Sequence, residues 1–191
     1  MSKSLLISVM TNLDQARELA IEVKGRLIAD ERVEAKPDPF VALVLGTTNN
    51  LEMMVEKSNV GAYLAHERIF KTRGNDVDDH ILKSVTGVFT VVANSDLGHQ
   101  KADKYWCDVH APLALSIHSA MCGYTQLSIQ RRFHGPQWDG FALCEFESLG
   151  DFKDHFYDSE AGRLAIAKDI AVFSDSNKSP RRIIATETAY F

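Results

Sequence analysis

Apolar and polar positions alternate between two regimes along this chain, short extended runs and stretches with helical spacing. Lys3 to Met10 is a short apolar run and reads as a first strand. Asn12 or Asp14 can cap a helix that runs through ARELAIEVKGRL, with Ala16, Leu19, Ala20 and Val23 on one face. After Gly25 comes a weak extended stretch, Ile28 to Ala35, and then the PDP turn of Pro37 to Pro39. Phe40 to Leu45 has the unbroken apolar character of a fully buried strand. Asn49 and Asn50 can cap the short helix LEMMVEKS, and Val60 to Phe70 is a further strand. The order is β-α-β-β-α-β.

The pattern then repeats. Val85 to Ala93 is a strand, Gln100 to about Ser119 a helix, Gly123 to Phe133 an alternating strand that ends at the Gly135–Pro136 turn. Phe141 to Phe146 is a strand, Ser148 caps a second helix region, and Arg181 to Phe191 closes the series. Letters repeat in step with the elements. Ala42-Leu43 matches Ala142-Leu143, Leu64-Ala-His-Glu67 matches Ile184-Ala-Thr-Glu187, and Gly25 sits where Gly123 sits. Together these point to an internal duplication of one unit, residues 1–75 and 85–191. The halves are unequal, because SEAGRLAIAKDIAVFSDSNKSP has no counterpart in the first.

One helical face stands out. Trp106, His110, Leu113 and Ile117 fall at i, i+4, i+7 and i+11 and share a stripe that should face the sheet. An imidazole in an apolar wall is either a satisfied core residue or a group that works on something bound. Pro112 removes a backbone donor and clashes with the carbonyl of Asp108, so the helix must kink or change course beside the histidine.

Composition narrows the function. The chain has 191 residues, 45% hydrophobic and 25% charged, enough to bury a core. A net charge of -5 with scattered basic residues argues against nucleic acid as a partner. Cys107, Cys122 and Cys144 form no CxxC and suit free thiols in the cytoplasm. The N-terminal apolar run is too short for a membrane span. HxH, HExxH, a phosphate-cradling glycine loop and a G-x-S-x-G elbow are all missing, so no metal and no cofactor are expected.

The run YWCDVHAPLA, then GYTQ, WDGFALCEFESLGDF and DSEAGRLAIAKDIAVFSD with a closing strand, resembles the EthD family over residues 85–191. The resemblance implies the dimeric α+β barrel superfamily: an α+β fold in which two ferredoxin-like units pack their sheets face to face into a barrel. Here one chain would supply both units as a pseudo-dimer, the first half being a degenerate copy, and a homodimer is also allowed. Relatives in that superfamily include polyketide cyclases, an isomerase, quinol-forming monooxygenases and heme enzymes. The resemblance therefore fixes the fold more closely than the reaction.

The candidate site lies in the second half. His110 can exchange a proton near neutral pH, the main requirement for general acid–base catalysis. Tyr124 can offer a phenol to the same cavity, orienting a substrate carbonyl or holding the imidazole. Tyr105, Trp106, Leu113, Ile117 and Phe173 are expected as substrate-binding wall, with Phe156 as lid or core. His134 and Asp139 are turn residues that enter the site only if their loops fold over it. His118 falls off the stripe by about one residue. Asp169 reads as helix surface or as a link to Arg181 or Arg182. The expected partner is a small-molecule substrate, aromatic or polyketide-like. His110 would act on it by acid–base chemistry of the isomerase, cyclase or lyase type. A cofactor-free monooxygenase and a non-catalytic binding protein are the alternatives.

Overall fold

Of the two candidate caps, Asn12 starts the first helix, its side chain accepting from the Gln15 amide at 2.9 Å. This is seen in a computed structural model that describes residues 3–32, 34–73, 84–180 and 182–191. The helix, α1 (Leu13–Glu22), stops well before Leu27. Gly25 N–H bonds the Ala20 carbonyl and Lys24 N–H that of Ile21, which closes the helix end. Lys24 takes the left-handed conformation at φ 50°. The glycine is needed one position later, where a Cβ would strike the Leu45 carbonyl oxygen.

Eight strands follow the expected order: β1 (Lys3–Met10), β2 (Arg26–Ala29), β3 (Ala42–Gly46), β4 (Gly61–Lys71), β5 (Val85–Val91), β6 (Met121–His134), β7 (Gly140–Phe146) and β8 (Ile183–Ala189). The helices beyond α1 are α2 (Leu51–Lys57), α3 (His99–Tyr105), α4 (Ala111–Ile117), α5 (Leu149–Asp154) and α6 (Glu160–Phe173). Asn50 precedes α2 without a side-chain cap, its amide donating instead to the Val23 carbonyl at 3.2 Å. Ser148 and Ser159 cap α5 and α6 through the Asp151 and Gly162 amides. The second strand is earlier and shorter than the Ile28 to Ala35 stretch suggests. Buried Asp30 turns its carboxylate back onto the Arg32 guanidinium, with two contacts of 2.7 Å, and this ends the extended run. Val33 lies outside the described residues.

The strands close into a barrel in the order β1-β3-β2-β8-β5-β7-β6-β4, and each of the eight strand contacts is antiparallel. Strands 1–4 thus run β4-β1-β3-β2 and strands 5–8 run β8-β5-β7-β6, the same sequence of places twice. Matching letters occupy matching places. Leu43 and Leu143 fill the barrel interior, as do Ala65 and Ala185. Glu67 and Glu187 both hold Arg26, at 2.6 and 2.7 Å.

Strand alternation separates two faces. Leu5, Ile7, Val9, Leu127, Phe141 and Leu143 point inward. Outward residues of the first half are covered by α1 and α2, through Leu19, Ala20 and Met54. Those of the second half, Tyr124, Ala142, Cys144 and Phe146, meet α3 to α6. The site lies in this second helix layer, outside the barrel. No helix among the described residues is long and apolar enough to cross a membrane.

Candidate active site

The histidine helix does change course at the proline. Between α3 and α4, Trp106–His110 form one wide π-turn, in which the Ala111 amide reaches back five residues to the Trp106 carbonyl. Pro112 then enters α4 in its first turn, where its missing donor matters least. A π-turn holds one residue more than a regular turn, so the buried face downstream of it moves along by one. Ala114 therefore lies under the helix where Leu113 was expected, and Leu113 is only half buried. The same shift, with the backbone turned at the helix end, brings His118 onto the face from which regular spacing excludes it.

A cavity of about 200 Å³ opens between these helices and the sheet. Its wall includes Trp106, His110, His118, Tyr124, Phe156 and Phe173. A shape-compatible apolar cavity of roughly 150 Å³ holds a benzene ring, so this one suits a ligand of one or two rings.

His110 is 7% exposed and its Nδ1 lies 2.6 Å from Oδ2 of Asp169, which is 8% exposed. A carboxylate can only accept, so Nδ1 carries the hydrogen and the neutral ring keeps its lone pair on Nε2. Nε2 has no hydrogen-bond partner among the described residues. The other carboxylate oxygen of Asp169 accepts from the Tyr105 hydroxyl at 2.9 Å. Burial pushes the His110 pKa below its ordinary value of 6.5, and the hydrogen bond and charge of Asp169 only partly offset this. The imidazole is therefore neutral at pH 7 and able to take a proton. Phe173 packs on it, ring centroids 5.0 Å apart.

Tyr124 is buried across from the helix, its hydroxyl accepting from Gln126 Nε2 at 2.9 Å. Burial raises its pKa well above that of a free phenol, with the Gln126 and Trp106 hydrogen bonds opposing. It stays protonated and keeps a hydrogen to donate. Trp106 is seated by Gly140 on β7, where a Cβ would come within 2.5 Å of the indole.

Four of the expected site residues thus meet at the cavity: His110, Tyr124, Trp106 and Phe173. Tyr105 stands one layer behind and reaches the site through Asp169 and through its stack on Phe173, ring centroids 5.9 Å apart. Leu113 and Ile117 pack α4 against its neighbours and do not line the cavity. His134 is elsewhere, because the long β6 carries it to the first half, where its Nε2 lies 3.1 Å from the Val55 carbonyl. Asp139 is held in the turn before β7, its carboxylate bound by His99 at 2.7 Å and by the Ala93 amide at 2.6 Å.

Asp169 is the main residue that the sequence reading misplaced. It belongs to the buried stripe Gly162, Ile166, Asp169 and Phe173 of α6, which has the same i, i+4, i+7, i+11 spacing that singled out His110. Applied to α6, that test finds it. It makes no link to Arg182, whose guanidinium lies over the Phe89 and Phe152 rings; Arg181 lies outside the described residues. No group of three or more His, Cys, Asp or Glu side chains among the described residues could hold a metal ion.

The EthD domain model matches residues 94–177, the stretch that contains His110, His118, Tyr124 and Asp169. No curated protein matches the chain significantly in sequence. Solved structures share the fold, among them the following three. One is described as an anthrone oxidase-like protein, with 12% identity, 97% of this chain and 92% of that chain covered, and a TM-score of 0.55. A candidate monooxygenase of Lactobacillus acidophilus NCFM has 10% identity, 98% and 94% coverage and a TM-score of 0.53. A candidate monooxygenase of Fusobacterium nucleatum subsp. nucleatum has 8% identity, 98% and 91% coverage and a TM-score of 0.52. At such identities the likeness concerns the α+β barrel fold.

Proposed function

We propose that this EthD-domain protein is a small enzyme that removes a proton from an aromatic or polyketide-like molecule, with His110 as general base. The observation that carries the reading is the buried Asp169–His110 pair, which fixes the Nδ1–H tautomer and leaves Nε2 unpartnered in a ring-lined cavity. Asp169 orients the imidazole and stabilises its cationic form once the proton arrives. The Tyr105 hydroxyl holds the second carboxylate oxygen. Tyr124 donates to a substrate carbonyl and so stabilises the enolate that forms. Trp106 and Phe173 hold the ring system and exclude water. Return of the proton at another atom gives an isomerase outcome. Attack of the carbanion on a carbonyl of the same molecule, with the proton going to the new alkoxide, gives a cyclase outcome. Departure of a β-substituent that takes the proton with it gives a lyase outcome. None of these steps requires a cofactor.

A second reading shares the first step. The anthrone oxidase-like and monooxygenase descriptions of the structural neighbours favour a carbanion that passes its electrons to molecular oxygen instead of regaining a proton. Oxygen would then end as water and as the new substrate oxygen. A protein that only binds its ligand has the same cavity but no use for an oriented, unpartnered Nε2.

Anthrone serves as a probe for all three. In heavy water under nitrogen, His110-dependent exchange of its methylene protons above the buffer rate supports base catalysis. In air, His110-dependent oxygen uptake supports the oxidative branch. His110→Ala should lower either rate by about 10²–10⁴ with little change in melting temperature. Binding without exchange or uptake would overturn both enzymatic readings.

For the architecture, we read residues 1–75 and 85–191 as two ferredoxin-like units forming a single-chain pseudo-dimer. The repeated strand places and repeated letters support it.

A further inference from the structure

The cavity contains a second imidazole that the base-catalysis reading does not use. His118 follows the last residue of α4 and is 5% exposed. Its ring is held between Phe156, at 4.5 Å between centroids, and Tyr157, at 5.3 Å. Its Nδ1 lies 2.6 Å from the Phe156 carbonyl oxygen, which can only accept, so the hydrogen is on Nδ1. Nε2 is left with a lone pair and no hydrogen-bond partner among the described residues. Both histidines line one cavity, and both have their tautomer fixed from behind by an acceptor.

We infer that His118 is a second ligand-contacting imidazole, which accepts a hydrogen bond from a hydroxyl of the ligand and so selects hydroxylated aromatic compounds. An unpaired acceptor in an apolar wall rejects a ligand that cannot donate to it, because burying it unbonded forfeits its contact with water. Burial lowers the pKa of His118, as it does that of His110, whose nearby charge adds to the effect, while the Phe156 carbonyl and Asp158 oppose it. At neutral pH the cavity therefore offers two acceptors, Nε2 of His110 and of His118. The Tyr124 hydroxyl is a donor on the same wall, beside the hydroxyl side chains of Thr90, Tyr157, Ser174, Ser176 and Ser179. A ligand with two hydroxyls and one carbonyl would satisfy both imidazoles and Tyr124. Selection by His118 rests on the aromatic-ligand reading but concerns a different residue.

The test compares diols with their monomethyl ethers, resorcinol for one ring and naphthalene-2,7-diol for two, by titration calorimetry. Wild-type protein should bind the better-fitting diol roughly fivefold to tenfold more tightly than its ether, the size of one net hydrogen bond. His118→Phe keeps an aromatic ring in place and should bind diol and ether equally. Discrimination that survives in His118→Phe overturns the role of His118 and leaves the aromatic reading standing. Failure of wild-type protein to bind any of the four compounds overturns both. Nitrogen-15 spectra of the wild-type imidazoles give a check that needs no variant. The His118 Nε2 resonance should shift on adding diol, and an unmoved resonance in the saturated complex overturns the proposal.

Discussion

Two helix layers cover the same barrel, and they are built of different material. Over the first half, α1 and α2 pack Ala16, Leu19, Ala20, Val23 and Met54 against Leu6, Leu27 and Val44, an aliphatic layer in which, among the described residues, no aromatic or titratable side chain is fully buried, with Phe133 and Tyr190 packed partly buried against it. Over the second half, α3 to α6 lay down Trp106, Phe152, Phe156 and Phe173, and bury His110, His118 and Asp169 among them. Flexible aliphatic chains fill the space between a helix and a sheet with few gaps. Flat rings leave corners, and here the corners join into a cavity. The difference teaches that the fold needs only one kind of layer, and that the second layer is arranged around a cavity.

Substitutions in the two layers should separate folding from chemistry. Leu19→Ala, at a fully buried position of the first layer, is expected to cost about 2–5 kcal/mol of stability. Its rate per folded molecule should be unchanged. Phe173→Leu in the second layer should cost less stability yet lower kcat/KM more, since it loosens the ring on His110. Denaturant melts and kinetics on the same preparations decide this, and a slower Leu19→Ala enzyme would mean that the layers are coupled.

Acid should distinguish them next. In the unfolded chain the imidazoles of His110 and His118 take protons near pH 6.5, whereas burial holds both pKa values lower in the folded protein. The unfolded state therefore binds more protons as pH falls below 6.5, and stability present above that value is lost down to the folded pKa values. Melting temperature should drop between pH 7 and 5, and His118→Phe should remove part of the drop. Glu145 acts in the opposite direction, its pKa being raised by burial, so the wild-type minus variant difference is the quantity to read.

The smallest effect is expected at Tyr105. Tyr105→Phe removes one donor from the Asp169 carboxylate, a hydrogen bond to a charged group worth roughly 1.5–3 kcal/mol. The rate should fall a few-fold, with the fold and ligand affinity intact. A loss as large as that of His110→Ala would move Tyr105 from support into the chemistry.

Most strands and helices were legible because hydrophobic period and caps are local properties. Lys3–Met10 and the Ser148 cap need no tertiary information. Asn50 shows the limit, since an amide drawn to the Val23 carbonyl is a long-range choice. At the site, His110 and Trp106 were readable from the stripe, Tyr124 from its strand position and Phe173 from the helical extension of the second half. Leu113 and His118 were misplaced because regular helical spacing was carried through Pro112. His134 and Asp139 stayed open as site residues because the direction in which a turn folds depends on what it meets, and both lie away from the cavity. Asp169 was present in the pattern and was passed over as surface charge.

The turn at Trp106–His110 works as a phase shifter. It inserts one residue into the helical count, and each residue advances the bearing of a side chain by about 100°. Upstream, the helix keeps the phase that seats Trp106 over Gly140; downstream, it runs in a phase that presents Ala114 and His118. Rewinding that turn as regular α-helix with every residue kept would reset the phase without changing a single wall residue, whereas removing Val109 along with the turn would leave Ala114 and His118 facing as they do. On rewinding, Leu113 would rotate toward the space that Ala114 now leaves open, and the room for a ligand would close from within. In this domain the depth of the binding chamber is set by a count of residues along the backbone as much as by the side chains that face it.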